Sequence, residues 1–169
     1  MSLQFGCKIT LKNYNNQTKC LFFSILVVVA ILFPRLFFRK HYDLILIVTN
    51  QQGIGKGLMT EADLTAVHAK LQEALGDTVD RIYHCPELER AHSFRRKPNI
   101  GMALQAHRDY PELRLKESVM VGDSMTDMLF GRRAGMQTVL VGDNSDVWQQ
   151  QPYLVDRRYP TLLDYAQSL

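Results

Sequence analysis

From His41 onward, short apolar runs alternate with longer segments that carry apolar residues every three or four positions. Short runs rich in β-branched residues are typical of strands buried on both faces of a parallel sheet, and the longer segments are typical of helices packed against it. Because strands and helices alternate, right-handed crossovers and a parallel sheet are expected. The pattern predicts an α/β fold, a doubly wound, Rossmann-like sheet with helices on both faces. The predicted strands are residues 44–48, 79–84, 118–121 and 137–141, and the predicted helices are residues 60–76, 99–110, 125–134 and 161–168.

The segment before this regular pattern differs from it. All 17 Asp and Glu residues lie beyond residue 42. Residues 20–33 are almost continuously apolar and are followed by Pro34 and Arg35, whereas a membrane-spanning helix needs about 20 apolar residues. Three interpretations of residues 20–38 stay open: a membrane anchor, a buried strand or helix, and an aberrant start of the reading frame. We therefore divide the chain into an atypical basic and apolar segment, residues 1–40, and one domain, residues 41–169, whose first strand is expected to be missing or irregular.

Composition narrows the function only slightly. The apolar share of 46% and the charged share of 22% are those of an ordinary globular protein. A net charge of +3 is weak support for a polyanionic partner, so no nucleic acid is expected. The three cysteines are odd in number and form no CxxC pair, which argues against a disulfide framework and fits a reducing compartment. The expected location is the cytoplasm, and the alternative is a membrane anchor through the N-terminal apolar segment.

Polar residues follow two of the predicted strands. The turn Thr49, Asn50, Gln51 and Gln52 comes after the strand at 44–48, and Asp123 and Asp127 follow the strand at 118–121. Ligands of open α/β sheets bind at the carboxyl ends of the strands. A hydroxyl and free backbone amides there can hold a phosphoryl oxygen. Two carboxylates one helical turn apart can face one point and suit Mg²⁺. The alternatives are a capped turn and a helix N-terminal charge.

A basic cluster, Arg95, Arg96 and Lys97, precedes the predicted helix at 99–110. Guanidinium and ammonium groups are the usual partners of phosphate, although a solvated charge run is the common alternative. Each of these signals is modest alone. Their order along the chain favours a phosphate site: a strand with Thr-Asn, then Arg-Lys-Pro, then a strand with Gly-Asp-x₃-Asp.

That order resembles the haloacid dehalogenase-like superfamily. The stretches IVTNQQGIGKGLMTEADL, RKPNIGMALQA and MVGDSMTDMLFGRRAGM resemble its branch of D,D-heptose 1,7-bisphosphate and histidinol-phosphate phosphatases. The resemblance implies Mg²⁺-dependent hydrolysis of a sugar phosphate monoester through an aspartyl-phosphate. It assigns phosphoryl binding to Thr49, charge neutralisation to Lys97, substrate recognition to Arg96, and metal binding to Asp123 with support from Asp127. We place Asn50, Gln51 and Gln52 beside the substrate.

Two features depart from the family pattern. Relatives carry a Cys/His zinc loop before Arg-Lys-Pro, but here Cys85 is accompanied by Glu87, Ser93 and Arg95, so no zinc is expected. The family's first strand ends in Asp-x-Asp, whereas this chain has no acidic residue before Asp43. Asp43 begins the strand that Thr49 ends, about 20 Å away at ~3.3 Å per residue. Three hypotheses follow: an active phosphatase whose N-terminus is misread, a non-catalytic sugar-phosphate-binding relative, and a membrane-tethered remnant.

Overall fold

The structure is a computed structural model that describes residues 20–24, 35–143 and 145–169. The described residues form strands that alternate with helices, as the apolar pattern predicts. The strands are β1 (Cys20–Phe23), β2 (Leu44–Asn50), β3 (Arg81–Cys85), β4 (Val119–Gly122), β5 (Gln137–Val141) and β6 (Arg157–Tyr159). The helices are α1 (Arg35–His41), α2 (Gln52–Gly55), α3 (Glu61–Leu75), α4 (Gly101–Asp109), α5 (Met125–Ala134), α6 (Ser145–Gln150) and α7 (Leu162–Gln167).

The strands form one parallel sheet in the order β3-β2-β1-β4-β5-β6. The predicted doubly wound α/β class is therefore confirmed. This order grows outward in both directions from β1, so the connection direction reverses between β1 and β4. Such a reversal opens a crevice at the carboxyl ends of the two strands, where open α/β sheets bind ligands.

The expectation that the first strand is missing or irregular is wrong. The strand β1 pairs in parallel with both β2 and β4, and Phe22 lies opposite Leu46 on one side and Met120 on the other. Cys20 and Phe22 are fully buried. Because Cys20 and Phe22 lie in a strand with neighbours on both edges, their hydrophobicity reflects burial inside the sheet.

The same placement bears on the proposed membrane anchor. Residues 20–23 are part of a sheet rather than of a spanning helix, and residues 25–34 lie outside the described residues. Within the described ranges, every helix is too short or too polar to cross a bilayer. The anchor interpretation of residues 20–38 falls largely on residues outside the described ranges.

Helices cover both faces of the sheet because alternate residues of each strand point to opposite sides. On one face, Ile45 and Ile47 pack with Phe38 of α1 and Tyr165 of α7. The other face packs against α4 and α5. Its buried residues include Phe22, Leu46, Met102, Ala106 and Phe130. The carboxyl ends of the strands carry the polar residues Thr49, Asn50 and Asp123.

Two helix boundaries follow the sequence signals closely. Thr60 caps α3 in a reciprocal capping box with Asp63, and Gly76 ends that helix at a φ of 58°. Gly135 ends α5 at a φ of 77°, in the left-handed region that glycine occupies at little cost. The boundaries of α5 set the direction of its first turn, which carries Asp127 into the sheet edge.

Candidate active site

The buried side chain of Lys97 connects two different elements at the carboxyl edge of the sheet. Its side chain is 4% exposed, and its Nζ donates to the Val48 carbonyl oxygen at 3.0 Å and to Asp127 Oδ1 at 2.6 Å. One ammonium group therefore connects β2 with the first turn of α5. A buried charge needs such partners, because an isolated ammonium in the interior is strongly unfavourable.

Asn50 fixes the backbone of Lys97. The Asn50 Oδ1 accepts a hydrogen bond from Lys97 N at 3.0 Å, and the Asn50 Nδ2 donates to the Lys97 carbonyl oxygen at 3.1 Å. This two-point contact ties the turn after β2 to the basic loop. Asn50 is therefore better described as a residue that positions Lys97, although it also lines the adjoining cleft.

Thr49 lies at the end of β2 and is 1% exposed. Its Oγ1 accepts a hydrogen bond from Gln51 Nε2 at 3.0 Å, so the hydroxyl proton is directed elsewhere and can serve an incoming oxygen. Gln51 N donates to the Cys85 carbonyl oxygen at 2.7 Å, which holds the turn against β3. Gln52 begins the short helix α2. The turn thus supplies one oriented hydroxyl at the sheet edge.

The two aspartates occupy different environments. Asp127 is 1% exposed, and its oxygens accept hydrogen bonds from Lys97 Nζ at 2.6 Å and from Ser124 Oγ at 2.7 Å. Asp123 follows β4 directly. Burial, and then repulsion from the Asp127 carboxylate, raise the pKa of Asp123 above its ordinary value. Asp127 is held by protein groups, and a cation near Asp123 would stabilise the ionised form of that carboxyl.

This donor set fits Mg²⁺ better than zinc. Among the described residues, no group of three or more His, Cys, Asp and Glu side chains is arranged to hold a metal ion. Mg²⁺ commonly retains several waters and uses one or two carboxylates together with substrate phosphate oxygens. The carboxylate of Asp123, at the end of β4, meets that requirement, and it does so at the same sheet edge as a hydroxyl and an ammonium group.

Sequence reasoning missed Ser24. Its N donates to the Val121 carbonyl oxygen at 3.2 Å, so it directly continues β1 between β2 and β4. Phe23 lies opposite Ile47 and Val121, which places Ser24 level with Val48, whose carbonyl binds Lys97. Ser24 is 6% exposed. It therefore occupies the position between the Thr49 and Asp123 strand ends. A single Ser inside an apolar run does not indicate where a strand ends. The sequence therefore carried no signal for Ser24.

The predicted substrate residue Arg96 lies next to this group. One of its guanidinium nitrogens donates to the Glu87 carbonyl oxygen at 3.2 Å. Arg96 and Lys97 line the same cleft of about 360 Å³. Thr49, Lys97, Asp123 and Asp127 therefore converge at one edge of the sheet, with Arg96 in the adjoining cleft. We refer to Thr49, Lys97, Asp123 and Ser24 as the phosphate site, after the phosphoryl binding that the order of the motifs predicts at this edge.

The loop before Arg96 is held by hydrogen bonds among protein groups. The Cys85 thiol donates to Glu87 Oε2 at 2.7 Å, and Arg95 donates to the His84 carbonyl oxygen at 2.9 Å. Burial and the Glu87 contact raise the pKa of Cys85. A cysteine binds zinc as a thiolate, and the raised pKa of Cys85 disfavours that form in the absence of metal. The absence of zinc stays an expectation, and it is consistent with this arrangement.

Gly122 offers a direct test of the packing behind the site. A Cβ added to Gly122 would lie 2.7 Å from Asp127 Oδ2, so a side chain there would displace Asp127 from Lys97 and Ser124. We expect Gly122→Ala to lower the free energy of unfolding by about 1–3 kcal/mol, measured by urea denaturation. Gly53→Ala is the control, because its Cβ would meet only the flexible Met59 side chain, with Sδ at 3.2 Å. Equal stability of the two variants would contradict the close contact.

Comparisons with known proteins agree with this geometry. A family model described as HAD-hydrolase-like matches residues 94–156. The D-glycero-alpha-D-manno-heptose-1,7-bisphosphate 7-phosphatase of Campylobacter jejuni is 34% identical over 110 residues, which cover 63% of this chain and 62% of that protein. The D-glycero-beta-D-manno-heptose-1,7-bisphosphate 7-phosphatase of Escherichia coli K12 is 33% identical over 136 residues, which cover 74% of this chain and 71% of that protein.

A solved structure is similar over almost its whole length. It is the crystal structure of D,D-heptose 1,7-bisphosphate phosphatase from B. bronchiseptica, complexed with magnesium and phosphate. Its TM-score is 0.78 at 26% sequence identity, and the match covers 89% of this chain and 97% of that one. The chain spans only 46% to 62% of the length of the first four curated relatives that it matches. Fold, motif order and identity agree: the chain belongs to the HAD-like hydrolase family, among the relatives of the heptose-1,7-bisphosphate 7-phosphatases.

Proposed function

We propose that this chain is a Mg²⁺-dependent phosphatase. It binds a sugar phosphate monoester similar to heptose bisphosphate and hydrolyses it slowly. The observation that carries the proposal is the buried Lys97 ammonium group, which lies between the Val48 carbonyl and Asp127. This ammonium group lies at the carboxyl ends of the strands, near the crevice between β1 and β4 where the connection direction reverses. The names of the relatives, and the magnesium and phosphate in one of their structures, support the same assignment.

Each residue of the phosphate site has a defined part in this proposal. The Thr49 hydroxyl accepts a hydrogen bond from Gln51 and donates a hydrogen bond to a phosphoryl oxygen. The Lys97 ammonium group neutralises phosphoryl charge, and Asp127 holds it in place. Asp123 would hold Mg²⁺, which supplies further charge neutralisation when bound. Asp127 is assigned first to Lys97, which it contacts at 2.6 Å, and its predicted support of the metal stays a prediction.

The slow rate follows from Ser24. The hydroxyl of Ser24 follows β1 directly, whereas the family pattern that the motifs resemble ends its first strand in Asp-x-Asp. Phosphoryl transfer to a carboxylate needs no proton removal, whereas a serine hydroxyl needs a general base to become a nucleophile. Removing the nucleophile of a covalent enzyme lowers kcat by up to about 10⁶-fold. The residual rate enhancement comes from the residues that bind the substrate. Binding therefore survives better than turnover.

We also propose that the chain functions in the cytoplasm with a phosphorylated sugar as its small-molecule partner. The three cysteines are odd in number and form no CxxC pair, which fits a reducing compartment. The expectation that the chain binds no nucleic acid stays a prediction. A purely binding role is the second candidate, and Ser24 is the observation that favours it.

Thermal denaturation with Mg²⁺ and inorganic phosphate tests the site without requiring turnover. Because the folded pKa of Asp123 is raised, its stabilising contribution is present at low pH and is lost as the pH rises through that value. At neutral pH without metal, ionised Asp123 therefore destabilises the fold. We expect Asp123→Asn to raise Tm in chelator, and Mg²⁺ with phosphate to raise the Tm of the unsubstituted chain but not of the variant.

Two outcomes would count against the proposal. Equal stabilisation of both proteins by Mg²⁺ and phosphate would show that Asp123 does not hold the cation. No stabilisation of either protein at millimolar phosphate would show that the phosphate site does not bind phosphate. Release of phosphate from a heptose bisphosphate, followed in parallel, separates the slow enzyme from the binding protein.

A further inference from the structure

The cleft beside the phosphate site is polar. It has a volume of about 360 Å³, and its lining includes Lys97, Asn50, Glu89 and His92. Thr126, at the start of α5, also lines it. Ligand sites are usually lined mainly by apolar and aromatic groups with a few polar ones. A cleft in which hydrogen-bonding groups predominate fits a ligand that carries many hydroxyl groups.

Most polar groups in this cleft are already used by the protein. Asn50 and Lys97 bind each other, and Asn99 donates to the Ser93 carbonyl oxygen at 3.0 Å. Glu89 and His92 differ, because both are exposed and their side chains make no hydrogen bond or ion pair with any other residue in the described ranges. Their donors and acceptors are therefore available to a ligand.

The backbone holds His92 in an uncommon conformation. His92 has φ 47° and ψ 34°, and its N donates to the Glu89 carbonyl oxygen at 3.0 Å, closing the 3₁₀ turn Glu89–Ala91. Left-handed φ values are uncommon for residues other than glycine, and strained residues cluster at ligand sites. The turn brings the carboxylate of Glu89 and the imidazole of His92 to the same cleft.

We propose that Glu89 and His92 are specificity-determining residues that bind the hydroxyl groups of a sugar whose phosphate lies in the phosphate site. A carboxylate accepts hydrogen bonds from two hydroxyls, and an imidazole offers one donor and one acceptor when neutral. An ionised carboxylate repels phosphate, so the part of the ligand next to Glu89 is neutral. A second phosphate group, where the ligand has one, lies nearer to Arg96. This inference rests on the proposed function of the phosphate site.

The test compares two ligands in the full-length chain with Mg²⁺ by titration calorimetry. Inorganic phosphate reports the phosphate site alone, and D-glycero-D-manno-heptose 1,7-bisphosphate reports the site together with the cleft. We expect His92→Gly to weaken binding of the bisphosphate about tenfold and to leave phosphate binding unchanged. Glycine keeps the left-handed backbone and removes only the imidazole. Ala91→Gly, which adds backbone freedom in the same turn without removing a polar group, is the matched control.

Glu89→Gln decides what lies beside the carboxylate. If hydroxyls bind there, the loss of charge weakens binding of the bisphosphate several-fold, because hydrogen bonds to a charged acceptor are stronger. If a second phosphate binds there, the same change strengthens binding, which would overturn the proposal. Equal effects of Ala91→Gly and His92→Gly would also overturn it. Failure of the unsubstituted chain to bind inorganic phosphate would instead refute the proposed function.

Discussion

Replacing Ser24 by Asp is expected to raise the rate of phosphate release by at least about 10²-fold. The reason is the position of residue 24, which continues β1 level with Val48 and between the strand ends that carry Thr49 and Asp123. A carboxylate there would lie beside the Lys97 ammonium group, which already binds the Val48 carbonyl. It would provide an attacking oxygen that needs no deprotonation and a second oxygen ligand for Mg²⁺.

The gain should be partial, because a nucleophile and a general acid or base contribute separately. General acid–base catalysis contributes about 10²–10⁴-fold on its own. The described residues beside Ser24 include no carboxylate assigned to that role, since Asp127 binds Lys97 and Asp123 is assigned to the metal. We therefore expect Ser24→Asp to accelerate formation of a phosphorylated chain more than its hydrolysis.

The measurement is phosphate release from D-glycero-D-manno-heptose 1,7-bisphosphate with Mg²⁺, together with mass spectrometry of the chain during turnover. Ser24→Asn is the matched control, because it has nearly the same size as Asp but cannot attack phosphorus as a carboxylate. An equal increase for Asn and Asp would attribute the gain to size or hydration. No increase for Asp in a folded, phosphate-binding chain would show that residue 24 does not face the phosphoryl group.

The fold was largely predictable because several local signals agreed. The residues of β5 were predicted without error, and Thr60 and Gly76 marked the ends of α3 correctly. The edge strand β6 was not predicted, because its residues Arg157–Tyr159 are largely exposed and carry no apolar run. The polar character of an edge strand follows from its exposure and hides it from a search for buried strands.

The central strand β1 was harder to predict for the opposite reason. The apolar run at 20–33 is long and uniform, so hydrophobicity alone did not distinguish a four-residue strand from a helix or an anchor. The position of Ser24 became evident only from its pairing with β2 and β4. Register between distant strands depends on tertiary packing, which local patterns do not specify.

The sequence predicted which residues lie at the site, but it did not predict which of them bind each other. The motifs predicted Thr49, Lys97, Asp123 and Asp127 at one edge, and the structure places them there. Sequence spacing predicted that Asp123 and Asp127 face one cation, which stays a prediction, but it did not predict that Asp127 binds Lys97, 30 residues away. This contact arises because burial of the lysine requires a counter-charge, and Asp127 is the buried carboxylate within its reach.

The Lys97–Asp127 pair should have the largest effect on stability. Both side chains are almost fully buried, 4% and 1% exposed, and their charged atoms are 2.6 Å apart. Replacing Lys97 by Met would leave a buried carboxylate that lacks its counter-charge. Breaking a buried pair in this way costs about 3–5 kcal/mol. We expect Lys97→Met to lower the free energy of unfolding by that amount, measured by urea denaturation at neutral pH.

Two further variants separate the ion pair from general packing. In Lys97→Met combined with Asp127→Asn, both charges are absent and the amide oxygen introduced at position 127 can still accept from Ser124, so we expect the double variant to be more stable than the single one. Arg114→Met, which breaks an exposed pair with Glu117, should cost less than about 1 kcal/mol. A double variant no more stable than Lys97→Met would show that the loss comes from packing.

The same variants separate stability from phosphate binding. The ammonium group of Lys97 is assigned to the phosphoryl group as well as to Asp127, so restoring stability by removing the charge of Asp127 should not restore binding. We expect the double variant to fold and to bind inorganic phosphate with Mg²⁺ at least about tenfold more weakly than the unsubstituted chain, since a charge-assisted contact contributes about 1.5–3 kcal/mol. Binding at full strength in the folded double variant would assign Lys97 a purely structural role and leave Thr49 and Asp123 to hold the phosphate.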